Sequence, residues 1–122
     1  MQRERIYIAG PYSAFGNAHD IPRKVQRNIE TAITFGNYIL LRGHYVFVPH
    51  LSHYQHIHRS MTRDLGEAWY EIDNTFLDHW ATALFFIARS KGVDMEIDRA
   101  KKRGLPIYHG LNEIPVLPEF GE

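Results

Sequence analysis

Short apolar runs alternate along this chain with longer stretches of helical periodicity. Ile6 to Ala9, "YVFVP" (45–49) and "ALFFIA" (83–88) have strand length and are followed by turn or loop signals, and "LPIYH" (105–109) supplies a fourth run. Between the first two, Val25, Ile29, Ala32, Ile33, Gly36, Ile39 and Leu40 recur at helical spacing, with Asp20 and Pro22 ahead and Gly43 behind. That predicts an amphipathic helix. Leu65, Ala68, Trp69, Ile72, Phe76 and Trp80 predict a second helix, capped by Asp64 or Thr62, leading straight into the third strand. "SKGVDMEIDRAKKRG" (90–104) predicts a third, entered through a Ser and a Gly. Its inward stripe is Val93, Glu96, Ile97 and Ala100, so a carboxylate occupies a core position. The tail "GLNEIPVLPEFGE" reads as irregular.

Strands alternating with helices predict a parallel sheet, because parallel neighbours need a crossover and the helices that make it cover both faces. The expected fold is α/β: a small doubly wound, flavodoxin-like or Rossmann-like domain spanning residues 1–122. In such sheets ligands bind beyond the carboxyl ends of the strands. Here those ends are Gly10 to Ser13, Pro49 to His53 and Arg89 to Gly92.

Composition narrows the partners. Lys plus Arg equals Asp plus Glu at 14 each, so there is no global basic field for a nucleic-acid polymer or an anionic membrane. With 122 residues and 44% hydrophobic content, one folded domain is expected. The absence of cysteine excludes disulfides, thiolate metal sites and a Cys nucleophile. The start of the chain lacks the h-region of a signal peptide and no run reaches membrane-span length, which makes the cytoplasm the expected location.

Glu96 has two readings. An acid in the first turns of a helix is favoured by the macrodipole and can swing into water. A half-buried Glu beside the third strand's carboxyl end also borders the expected pocket. Asp73 lies at the edge of the second helix's aromatic stripe, either as a flank residue in water or as a proton donor. Two facing carboxylates suit glycosyl transfer, one attacking the anomeric carbon and the other handling the leaving group's proton. The loop "GPYSAFGNAHDIP" is a weak phosphate signal, neither a dinucleotide fingerprint nor a Walker loop. His50, His53, His56 and His58 show no recognised metal spacing; His50 is expected at the pocket and the others on a mobile loop.

"IYIAGPYS", "VFVPH" and the S-x-G-x-x-x-E of Ser90, Gly92 and Glu96, followed by "A…G.PIY", resemble the nucleoside 2-deoxyribosyltransferase superfamily. Within it the chain is similar to the small branch holding 2′-deoxynucleoside 5′-monophosphate N-glycosidases. The resemblance runs over about residues 5 to 108. It implies that Glu96 is the nucleophile that attacks C1′, that Asp73 is the general acid, and that Tyr7 orients the Glu. His50 and Tyr12, with the adjoining Pro11, would line the base or sugar pocket. Gly10, Ser13 and Ser90 would meet the 5′ end, and Gly92 would be a further substrate-binding position. The ligand would be a nucleoside or nucleotide, with no metal and no redox cofactor, and the assembly a homodimer or higher homo-oligomer.

Two other readings stay open: a domain that binds or senses a nucleotide without turnover, and a metal-dependent hydrolase built on the His segment. The second helix carries Trp69, Tyr70, Phe76 and Trp80, more large residues than one face of a small sheet needs, and the surplus predicts a dimer contact.

Overall fold

The computed structural model describes residues 2–12, 21–57 and 66–121. Four parallel strands, β1 (Arg5–Ala9), β2 (Tyr45–Phe47), β3 (Ala83–Phe86) and β4 (Ile107–Tyr108), lie in the order β2-β1-β3-β4. The helices are α1 (Ile21–Leu41), α2 (Ser52–Ile57), α3 (Gly66–Thr75) and α4 (Lys91–Lys102). This is the doubly wound parallel α/β fold. Its strands are shorter than the apolar runs suggest: the second stops at Phe47 and Pro49 opens a 3-10 turn, since a proline has no N–H to extend the ladder.

β1 is one of the two interior strands, and Ile6, Tyr7, Ile8 and Ala9 have no exposed surface. A strand covered on both faces needs apolar residues at every position rather than alternate ones. One face packs Ile6, Ile8, Ala83 and Phe85 against Ala32 and Ile39 of α1 and against Ile114 of the tail. The other packs Tyr7, Ala9 and Leu84 against Leu77 and the Val93, Ile97, Ala100 stripe of α4. Gly43 closes α1 at φ +101°, and a Cβ there would lie 2.5 Å from the Phe120 ring, which the tail folds over the turn.

The second helix departs from its expected phase. After Thr75 it continues as a π turn, Phe76–Trp80, in which Ala81 N–H donates to Phe76 O at 2.9 Å. The inward line across the helix and this turn is Trp69, Asp73, Leu77 and Ala81, with four-residue spacing, and Ile72 is 41% exposed. Phe76 and Trp80 are not spare surface. Phe76 stacks on Phe47 at a 4.0 Å centroid distance, and Trp80 meets the same ring edge-on at 6.4 Å. Leu40, expected on α1's inward stripe, is exposed, and Phe35 fills that side against Phe85. No described helix is long and apolar enough to cross a membrane.

Candidate active site

Strand order reverses between β1 and β3: α1 carries the chain from β1 to β2 on one side, and the next crossover returns it to β3 on the other. A crevice opens at the carboxyl ends of such a pair. It forms a cavity of about 760 Å³. β1 delivers Gly10, Pro11 and Tyr12 to its wall, and the segment after β2 delivers His50 and His53. Asp73 comes from α3, and Ser90, Gly92 and Glu96 come from the start of α4. Of the residues expected at the site, these eight, His53 aside, converge; Ser13 lies outside the described residues.

Tyr7 completes the cluster from below. Its ring is fully buried in β1, and its hydroxyl donates to Glu96 Oε2. Burial, together with the adjoining Glu96 carboxylate, pushes the phenol's pKa far above its usual range, so it stays a donor. Glu96 is pushed up to about 7, chiefly by burial; the Tyr7 hydrogen bond opposes the shift by favouring the charged form, and the charge of Asp73 adds to it. Asp73 is also pushed up to about 7 by burial. Each carboxyl therefore changes state near neutrality, and the field of Asp73 reaches Glu96.

The other candidates have mixed parts. Ser90 Oγ accepts from Val93 N–H at 3.2 Å, which makes it the N-cap of α4 as well as a wall residue. Gly92 sits in the first turn with open space where a Cβ would stand. His50 is buried at 4% exposure, and its Nε2 lies 3.1 Å from Gly10 O and 3.2 Å from Pro11 O. His53 belongs to the short helix α2 rather than to a loop, and its Nδ1 meets the Tyr12 hydroxyl. His56 lies within α2, while His58 is outside the described residues. Among the described residues no group of three His, Asp or Glu side chains is placed to hold a metal ion.

Sequence reasoning missed Asn74 and Met95, and it gave Trp69 and Tyr70 no place in the site. All four line the main cavity; Tyr70, Asn74 and Met95 also join Glu96 in lining a second cavity of about 450 Å³ between α3 and α4. Helix spacing from Asp73 held the signal for Tyr70 and Trp69, at i−3 and i−4. The second cavity ends at Asp78, whose carboxylate takes two hydrogen bonds from Arg99, at 2.6 and 2.5 Å. That pairing holds the Asp78 carboxyl below its usual pKa range and ties α4 to the π turn.

Fold and cluster together define the class: a small parallel α/β domain with a phenol-bound carboxylate and a second raised carboxyl in its switch-point cavity. Over residues 4–110 the chain matches the family described as "Domain of unknown function (DUF7768)", and it belongs to that family. No curated protein matches the chain.

Proposed function

We propose that this domain cleaves the N-glycosidic bond of a nucleoside or nucleoside 5′-monophosphate through a covalent glycosyl-Glu96 intermediate, with water as the acceptor. The observation that carries this reading is the buried Glu96 carboxylate held by the Tyr7 hydroxyl, beside a second carboxyl also pushed up to about 7. In its ionised form Glu96 attacks C1′ while Tyr7 holds one of its oxygens, leaving the other as the nucleophile. The C1′–N bond breaks, and protonated Asp73 gives its proton to the departing base. Asp73, now ionised, takes a proton from water; the hydroxyl attacks C1′ and releases Glu96. The sum is substrate plus water giving base plus the free sugar, or the sugar 5′-phosphate from a monophosphate, with both carboxyls returned to their starting states.

The test is chromatographic detection of free base from ribo- and deoxyribonucleosides and their 5′-monophosphates, with Glu96→Ala and Asp73→Asn beside the parent, and with and without a second base. Base release lost in Glu96→Ala and insensitive to a chelator supports the proposal. Release only when a second base is present converts the reaction to transfer. No release under any condition, with ligand-induced stabilisation of the protein by an unaltered nucleotide, makes the domain a binding module.

A further inference from the structure

The segment after β1 has three consecutive carbonyls, all taken by side chains from other parts of the fold. Gly10 O and Pro11 O face His50 Nε2, and Asn28 Nδ2 of α1 donates to Tyr12 O at 3.1 Å. Carbonyl oxygens only accept, so His50 Nε2 carries the ring proton. Nδ1 of the neutral ring is then a bare lone pair, and it has no hydrogen-bond partner among the described residues. Protonating it would set a charge and an unpartnered donor in a buried position. Burial accordingly lowers the pKa of His50, although the two carbonyls act in the opposite sense.

The backbone itself leaves little slack. A Cβ on Gly10 would lie 2.8 Å from Ile87 Cδ1 and 3.5 Å from His50 Nε2, so the strand end is packed between its two neighbours. Pro11 has a fixed φ and no N–H. The peptides are trans, so anchoring Pro11 O also sets the direction of the next N–H, that of Tyr12. The Tyr12 hydroxyl then meets His53, and its ring stands edge-on to His50 at 6.1 Å.

We infer that His50 and Asn28 are positioning residues: by taking the carbonyls of Gly10, Pro11 and Tyr12 they hold that segment as a preformed wall of the cavity. The inference rests on the functional reading above, in which the cavity binds substrate, and assigns neither residue a step in bond cleavage. A fixed wall lowers the ordering cost of binding without touching the reacting bond. His50 thereby has a backbone to hold rather than a base to recognise.

The experiment compares His50→Phe and His50→Gln with the parent, using the panel member that the parent cleaves fastest, and records the ring nitrogens of the parent by NMR. The Phe ring keeps the volume and loses the donor, whereas the Gln amide supplies a donor of similar reach. His50→Phe is expected to raise KM by about tenfold with kcat within about threefold of the parent. His50→Gln is expected to recover most of the KM, and Tyr12 ring resonances should shift in the Phe variant alone. The parent should show a protonated Nε2 and a bare Nδ1 at about pH 7 to 8, above the ordinary imidazole pKa. A proton on Nδ1, a kcat loss at unchanged KM, or a Gln variant no better than Phe while both still melt cooperatively overturns the inference. If the parent cleaves no member of the panel, the functional reading alone fails. The ring tautomer and the Tyr12 resonances of the three proteins then decide the inference.

Discussion

Two neighbouring carboxyl groups that both change state near 7 share one proton at neutral pH, and the reaction proposed here needs it on Asp73 rather than Glu96. Activity should therefore rise with pH as Glu96 ionises and fall again as Asp73 does, giving a narrow bell centred near 7. Because the Tyr7 hydrogen bond favours ionised Glu96, Tyr7→Phe should move the acid limb upward in pH and lower kcat. The same shift bears on stability. Glu96 is raised in the folded state, so its contribution is fully present below the unfolded pKa near 4.5 and is lost as pH climbs through about 7. Glu96→Gln removes that titration. Its stability relative to the parent should improve by about 2–3 kcal/mol between about pH 5 and 8, measured by urea unfolding, while base release falls on the order of a thousandfold or more. At this scale the sequence was readable for Glu96, whose inward position follows from helix period alone. The place of His50 at the pocket was readable from the end of the second strand, but its carbonyl partners, 40 and 39 positions away, were not.

Among the elements, α4 and α3 show when periodicity can be trusted. α4 begins at a capped Ser90, runs without irregularity, and buries Val93, Ile97 and Ala100 as its spacing predicts. Ser90→Ala should cost about 1 kcal/mol in thermal or urea unfolding, as loss of an N-cap does. A larger effect on KM than on stability would mean that the hydroxyl also meets the ligand. α3 ends in a π turn, and across the two the inward line runs through Trp69, Asp73, Leu77 and Ala81 while Ile72 faces out. Composition offers no sign of such a turn, because the backbone bond that creates it, Ala81 N–H to Phe76 O, involves no side chain. Part of the aromatic surplus on this helix is used within the chain, since Phe76 and Trp80 pack on Phe47, while Tyr70 stays 51% exposed.

At the scale of the whole molecule, alternation of strands and helices was enough to give the parallel sheet and to locate the cavity at its switch point. The tail is irregular, as read, and is buried all the same. Between its short 3-10 turns Ile114, 1% exposed, joins the core on the α1 side of the sheet, and Leu117, 2% exposed, packs at the Gly43 turn. Leu117 N–H donates to Arg42 O at 3.0 Å, and His44 Nε2 lies 2.7 Å from Pro115 O, so backbone as well as side chains fasten it. Ile114→Ala should cost about 2–4 kcal/mol of unfolding free energy, as truncation of a core residue does. The family match stops at residue 110, short of both buried tail residues.

The central place of β1 also has a consequence for how the chain is made. Arg5 and Thr82, at the start of the β1–β3 pairing, are 77 positions apart, so the first strand to leave the ribosome must wait for the third before its second edge is closed. Until then Ile6 to Ala9, the most thoroughly buried segment of the finished domain, is nascent chain with an open β edge. For this strand, synthesis comes long before burial, and an unpaired apolar edge in that interval favours aggregation.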